Sequence, residues 1–213
     1  MNNSELISIL VMIIPILLSI SIHEYAHAYV AYKRGDYTQK RKGRLTLSPF
    51  AHIDIFGLIS LLLIGFGWGK PVEVDDSNFK NRRKDMLLVS LAGPASNIIF
   101  AFVLTILLKI LNIIPALDAF WNSTYGMLFI TMLFQTISLN IILAVFNMIP
   151  LPPLDGSRLL FYFLPSKFRK IEFFLTQHSF IIFVILMITN VHMYVIAPIA
   201  SFLSKILMSI LML

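Results

Sequence analysis

The sequence predicts an all-α polytopic membrane protein with about five to six transmembrane segments. Of its 213 residues, 58% are hydrophobic and 13% are charged, and this charged share is about half of the ~25% found in ordinary soluble domains. Several apolar stretches reach the roughly 20 residues that a spanning helix needs. Basic residues are concentrated in the short segments between these stretches, as in the loops of membrane proteins. The composition therefore excludes a water-soluble or disordered chain.

The lengths of the apolar stretches and the positions of the prolines predict where the individual helices lie. No internal repeat or second soluble domain is visible, so residues 1–213 are interpreted as a single domain. Residues 53–68 are apolar but short for a span and contain three glycines. The third long segment must end at Pro150, because a ring without an N–H cannot continue a helix. Long apolar segments are expected at residues 6–31, 86–111, 123–149, 171–190 and 193–213.

Loop charge predicts the orientation in the membrane. The net charge of +6 comes largely from basic loops at residues 33–52, 69–85 and 150–170, and the positive-inside rule makes all three cytoplasmic. An even number of crossings must then separate any two of them. Residues 53–68 are therefore predicted to be re-entrant or packed inside the bundle, where irregular backbone is covered by protein. Because the basic residues are explained as loop charge, no nucleic-acid partner is expected.

The first apolar segment contains a pattern typical of metal chemistry, His23-Glu24-Tyr25-Ala26-His27. Histidines at i and i+4 lie on the same helical face, where both imidazoles can reach one Zn²⁺, and Glu24 is placed to act as a base. A purely structural alternative is a hydrogen-bonded polar cluster within the bundle. Ionisable groups in an apolar helix are costly and usually mark function, which favours the metal site.

A catalytic zinc ion needs a third protein ligand, and the chain has no cysteine, so this ligand must be His, Asp or Glu. Three histidines remain, at His52, His178 and His192. The best candidate is instead Asp155, which follows three prolines in an otherwise uncharged stretch. A structural alternative is that Asp155 caps the next helix, a common use of Asp. Loop charge favours the metal interpretation, because it places Asp155 and the two histidines at the same membrane face.

Together, the HExxH pattern and Asn147-Met148-Ile149-Pro150-Leu151-Pro152-Pro153-Leu154-Asp155-Gly156 resemble the site-2 protease family of intramembrane metalloproteases. Residues 48–54, 67–72 and 92–97 also resemble the compact bacterial members that lack PDZ and CBS domains. One position departs from the family pattern, because Ile55 stands where a proline is usual.

The resemblance implies a site and an activity. His23, His27 and Asp155 are the implied ligands of one catalytic zinc ion, Glu24 the implied catalytic base, and Asn147 an implied polar group near the scissile peptide. The implied function is a zinc endopeptidase that cleaves transmembrane or membrane-proximal segments of other membrane proteins. It would lie in the lipid bilayer of the cell membrane, with the active site toward the cytoplasm.

Two alternatives use the same residues differently. In a membrane metal transporter or metal-binding scaffold, the histidine pair and Asp155 would coordinate a passing cation. No inverted repeat of the transporter kind is visible, and Glu24 would then have no task. A membrane zinc protease acting on prenylated tails would share the HExxH pattern but would not need the segment from Asn147 to Asp155.

Four further polar residues lie in or beside apolar segments. His52 and Asp54 adjoin a loop, and we expect them to make supporting or structural hydrogen bonds. Asn97 follows Gly93-Pro94, a small and turn-forming pair, and is interpreted as a helix-packing residue. The sequence suggests no partner for His178.

Overall fold

The computed structural model describes residues 3–64 and 67–212. The described residues form helices joined by loops, with no β-strand and only one isolated β-bridge pair. The helices, in chain order, are α1 (Asn3–Arg34), α2 (Thr38–Arg41), α3 (Ile55–Ile64), α4 (Arg82–Asn112), α5 (Asp118–Trp121), α6 (Thr124–Asn147), α7 (Gly156–Phe163), α8 (Arg169–Gln177), α9 (Ser179–Thr189) and α10 (Met193–Met212).

Four helices are long and apolar enough to cross a membrane, namely α1, α4, α6 and α10. A fifth span is possible if α8 and α9 are counted as one broken helix. The predicted all-α polytopic class is confirmed. The protein is a multi-pass membrane protein whose polar loops cluster at the helix ends.

The helices α1, α4 and α6 pack against one another, and α10 packs against α4 and α6. Where α4, α6 and α10 meet, small and branched side chains interdigitate, and alanines allow the helix backbones to approach closely. The buried members of this core are Ala101, Leu104, Ile137, Ile141, Ile196, Ala200 and Leu207. The three-helix contact of α1, α4 and α6 is the scaffold on which the polar site is built.

Within the segment 53–68, the described helix is too short to cross the membrane. Its helix α3 has ten residues and is about 15 Å long, half of the roughly 30 Å hydrocarbon core. Ile53 forms an antiparallel bridge with Gly69, and the Lys70 N–H donates to the His52 carbonyl at 2.8 Å. The chain therefore leaves this segment beside the point where it entered, as a re-entrant element does; residues 65–66 lie outside the described range.

Residues 171–190 form two helices instead of one. The axes of α8 and α9 differ by 70° at the break, and the His178 ring lies at this junction with Nδ1 2.9 Å from the Phe174 carbonyl. The α8 helix begins with Arg169, Lys170 and Glu172, whereas α9 carries no charged residue. This change in polarity accounts for the break, because α8 suits the membrane interface and α9 suits the hydrocarbon region.

Asp36 ties the loop after α1 to the loop before α4. One carboxylate oxygen accepts hydrogen bonds from the Thr38 backbone and hydroxyl and from the Asn78 amide, at 2.5–3.0 Å. The other accepts from the Asp75 N–H at 2.9 Å. Burial works to raise the pKa of Asp36, but these donors together lower the pKa below its ordinary value. The ionised carboxylate therefore holds the two loops together.

Candidate metal centre and active site

Helix α1 presents His23 and His27 on one face, one turn apart. Both side chains are buried, and their Nε2 atoms lie 3.0 Å from each other. The i, i+4 spacing brings the two rings together, as the sequence predicted.

Asp155 reaches the same point from the other end of the site. The proline-rich stretch after α6 cannot continue the helix, and it turns the chain so that Asp155 Oδ2 lies 3.2 Å from His23 Nε2 and 3.3 Å from His27 Nε2. Asp155 stands at the start of α7, but its side chain makes no capping hydrogen bond. The capping alternative is therefore wrong for the side chain, and the three donor groups lie within 4.8 Å of one another.

The donor set fits a zinc ion. Ligand atoms about 2.0–2.1 Å from a tetrahedral zinc lie about 3.3 Å from each other, and the three observed separations are 3.0, 3.2 and 3.3 Å. The buried Oδ2 atom of Asp155 has no hydrogen-bond partner, a costly arrangement that a cation relieves. Two imidazoles and a carboxylate are also a usual catalytic zinc set.

The outer nitrogen of each imidazole is anchored in the bundle. His23 Nδ1 lies 2.6 Å from Asn97 Oδ1, and His27 Nδ1 lies 2.7 Å from the Val89 carbonyl. Both partners on α4 are acceptors, so each Nδ1 carries the proton and each Nε2 keeps a lone pair for a metal.

A buried amide chain continues from Asn97 into the bundle. The Asn97 amide group donates to Asn140 Oδ1 at 2.6 Å and to the Ser19 carbonyl at 3.2 Å. Asn140 in turn donates to the Ser19 hydroxyl at 2.7 Å. This network fixes which side of Asn97 faces the histidine, and it joins α1, α4 and α6 behind the site.

Gly93 provides room for the site on the α4 side. A Cβ atom at this position would lie 2.5 Å from both His23 Cε1 and His27 Nε2. Any larger residue would therefore push against both rings, so only glycine allows α4 to approach α1 this closely.

Glu24 is held by the segment that follows the re-entrant element. One carboxylate oxygen, Oε2, accepts a hydrogen bond from the Val72 N–H at 2.7 Å, which leaves Oε1 for proton transfer. Glu24, the three ligand residues and Asn147 all line a cavity of about 530 Å³. A cavity with ionisable groups deep in a membrane bundle marks a functional site.

The other polar residues named from the sequence have different places. Asn147 lines the cavity near the C-terminus of α6, where its amide donates to the Leu143 carbonyl at 3.0 Å. His52 Nε2 lies 2.8 Å from the Thr46 carbonyl, and Asp54 accepts from the Gly57 N–H at 2.8 Å. These two residues make local structural contacts, and neither they nor His178 joins the ligand group.

Sequence reasoning missed part of the site. The interpretation of Asn97 as a packing residue was incomplete, because Asn97 also orients His23. The available signal was an amide within an apolar helix, since polar residues in membrane segments are usually functional. The Val89 carbonyl and the Val72 N–H are backbone groups, for which the sequence carries no residue-type signal.

Comparisons with known proteins identify the family of the chain. The model of peptidase family M50 matches residues 11–189. The chain is 42% identical over 195 residues to YwhC of Bacillus subtilis, covering 88% of this chain and 84% of YwhC. It is 30% identical over 179 residues to Rip2 of Mycolicibacterium smegmatis, covering 81% of this chain and 64% of Rip2.

A third relative is MJ0611 of Methanocaldococcus jannaschii, which is 31% identical over 156 residues and covers 72% of each chain. All three relatives are named as candidate zinc metalloproteases. No solved structure matches the chain significantly. The chain therefore belongs to peptidase family M50, the site-2 protease family, and is a zinc-dependent protease of the membrane.

Proposed function

We propose that this protein is an intramembrane endopeptidase that cleaves transmembrane or membrane-proximal segments of other membrane proteins. The observation that carries the proposal is the position of the site. His23, Glu24 and His27 lie within a helix long and apolar enough to span the membrane, and they face a cavity of about 530 Å³. A protease for soluble substrates has no need to place its centre inside the bundle.

The geometry of the site supports a role for each residue in this proposal. His23, His27 and Asp155 would hold the zinc ion, which would supply a Lewis acid to polarise the scissile carbonyl and acidify the attacking water. Glu24 Oε1 accepts a proton from that water as its oxygen bonds to the carbonyl carbon. When the C–N bond breaks, Glu24 returns the proton to the leaving amine, so the base is regenerated.

The substrate must expose its peptide backbone to reach this site. An intact transmembrane helix holds its scissile carbonyl in an internal hydrogen bond, so we infer that the substrate unwinds locally before it is cut. The side-chain amide of Asn147 lines the cavity and can bind a released backbone group.

The active site faces the cytoplasmic side in this proposal. Glu24 precedes Arg34, the basic end of α1, by ten positions, or about 15 Å along the helix axis. The loops that flank the site, residues 33–44 and 157–170, carry most of their charge as Lys and Arg. By the positive-inside rule these loops are cytoplasmic, and water reaches the cavity from that side of the cell membrane.

A cleavage assay with the purified protein tests the proposal. A panel of single-span reporter peptides with helix-destabilising centres is incubated with wild type, with chelator-treated protein and with Glu24→Gln. Zinc content is measured in each sample. Glu172→Gln on the exposed helix α8 is the matched control, because it makes the same chemical change away from the cavity.

We expect cleavage by wild type and Glu172→Gln, and none by the chelated protein or by Glu24→Gln, although Glu24→Gln retains zinc. Cleavage that survives in Glu24→Gln would contradict the role of the base. Zinc-loaded wild-type protein that cuts only soluble unfolded peptides would contradict the intramembrane substrate class.

A further inference from the structure

Arg44 is a buried cation that binds backbone carbonyls. Its side chain is 7% exposed, and in the described part of the chain no carboxylate forms an ion pair with it. Nε donates to the Ala51 carbonyl at 3.1 Å, Nη1 to the Pro71 carbonyl at 2.7 Å and Nη2 to the Lys70 carbonyl at 2.6 Å. All three nitrogens of the guanidinium group are therefore engaged.

The turn after α2 fixes the position of Arg44. Gly43 has a φ of +68°, its N–H donates to the Lys40 carbonyl at 3.1 Å, and the Arg44 N–H donates to the Gln39 carbonyl at 2.9 Å. This pair of bonds with a left-handed glycine is a Schellman motif. The Arg44 side chain thus extends from a turn whose backbone is fixed by two hydrogen bonds.

The carbonyls of Lys70 and Pro71, which are consecutive in the chain, both accept hydrogen bonds from Arg44. They belong to one short extended segment, residues 69–72, which we call the strap. One end of the strap is fixed by the bond from Lys70 N–H to the His52 carbonyl. At the other end, the next N–H after Pro71 is that of Val72, which donates to Glu24 Oε2 at 2.7 Å. The strap therefore connects Arg44 to the catalytic carboxylate within two peptide units.

We infer that Arg44 is a positioning residue that holds the strap so that Val72 N–H orients Glu24 for proton transfer. The inference rests on the proposed role of Glu24 as the base. Only a planar fork can bind two successive carbonyls at once, and a lysine ammonium group replaces one of these bonds at most. Arg44 does not itself line the cavity, and it makes no hydrogen bond to a zinc ligand. Its contact with the cavity wall is through Pro71, which belongs to the strap, so it acts on the reaction through the strap.

The first experiment compares kcat, KM, zinc content and melting temperature for Arg44→Lys and Arg44→Gln with the reporter peptide that wild type cleaves. A misplaced catalytic group costs up to about 100-fold in rate, so we expect kcat to fall by about 10- to 100-fold. KM and zinc stoichiometry should remain within about twofold. Arg41→Gln is the matched control, because it removes the same charge from the exposed face of α2.

A second variant, Val72→Pro, removes the N–H that binds Glu24 and leaves Arg44 in place. If Arg44 acts through this bond, Val72→Pro lowers kcat as much as Arg44→Lys does. The double variant then loses no more than either single variant, because both changes remove the same interaction. The comparison of Arg44→Lys, Val72→Pro and the double variant also tests the inference if Arg44→Gln fails to fold.

The outcomes distinguish a failure of the proposed proteolytic function from a failure of the proposed role of Arg44. Cleavage by Glu24→Gln would contradict the proposed function, whatever the Arg44 variants do. An inactive Glu24→Gln together with a fully active Arg44→Lys would contradict only the role of Arg44. The role of Arg44 would also be contradicted if the losses in kcat were additive in the double variant. Changes in KM or zinc content in place of kcat would contradict it as well.

Discussion

At the scale of single residues, the metal centre depends on contacts that point away from the metal. His23 and His27 each donate from Nδ1 to an acceptor on α4, at 2.6 and 2.7 Å. These bonds set the tautomer and the ring orientation before a metal binds, which reduces the cost of binding. The histidine pair is therefore pre-organised by its neighbours.

Asn97→Ala should weaken zinc binding by about 10- to 100-fold, the usual effect of losing a residue that orients a metal ligand. The variant frees the His23 ring to rotate and leaves Asn140 without its donor. Competition with a fluorescent zinc chelator measures the change. Asn122→Ala, in the exposed loop before α6, is the matched control, and equal affinities for the two variants would contradict the orienting role.

Gly93→Ala should block the centre sterically. The added methyl group would lie 2.5 Å from atoms of both imidazoles, far inside van der Waals contact, so the rings must separate. We expect zinc content well below one equivalent and loss of cleavage, with helical content unchanged by circular dichroism. Ala95→Val, which adds bulk on the exposed face of the same helix, should retain both zinc and activity.

The sequence alone predicted some residues of the site and not others, for a physical reason. His23, Glu24 and His27 lie within two turns of one helix, so their spacing alone defines their geometry. Asn97 and His23 are 74 positions apart, and only the packing of α4 on α1 brings them together. The Val72 N–H reaches Glu24 because of the backbone conformation. The identity of the side chain at this position gives no indication of it.

At the scale of elements, the re-entrant segment determines which loops share a side. The bridge between Ile53 and Gly69 returns the chain to its point of entry, which agrees with the even number of crossings deduced from loop charge. The loop charges and the path of the chain therefore point to the same arrangement of this segment. The same reasoning could not foresee the 70° break between α8 and α9, because it counts apolar length and not helix direction.

The 213 residues contain no cysteine, so single introduced cysteines can be labelled specifically. Single cysteines replacing Lys40 and Lys80, which flank the re-entrant segment, should react with an impermeant maleimide from the same side of the membrane. A cysteine replacing Asn122 should react from the opposite side, because α4 lies between them. Labelling of positions 40 and 80 from opposite sides would contradict the re-entrant path.

The contact between the two polar loops should depend on pH through Asp36. Its pKa lies below the ordinary value of 3.8, so the ionised form stabilises the folded state above about pH 4. This stabilisation disappears as the pH falls through the lowered pKa. The melting temperature of wild type should exceed that of Asp36→Asn at pH 7, and the difference should shrink below pH 4. A difference independent of pH would contradict the role of the carboxylate.

At the scale of the whole molecule, the metal centre joins distant parts of the fold. Two ligands come from α1 and the third from the connection between α6 and α7. The fold class followed from composition and apolar length, since a bilayer permits few architectures. The convergence of α1, α4 and α6 on one polar point could not be deduced in this way, because it depends on side-chain packing between helices.

Zinc should stabilise the whole protein, because it binds the folded arrangement of all three ligands. Free zinc at 100 times its dissociation constant contributes about 2.7 kcal/mol, or a melting shift of about 5–10 °C for a domain of this size. Differential scanning fluorimetry in detergent measures the shift. Asp155→Asn should reduce the shift strongly, whereas Asp118→Asn, exposed on α5, should retain it.

The order of the ligands along the chain also matters during biosynthesis. The ribosome delivers α1, with its histidine pair, to the membrane long before it has made Asp155. A nascent chain therefore has an incomplete ligand set until α6 has been inserted and the following turn has been translated. Chains that stall before this point cannot hold a metal ion with all three ligands.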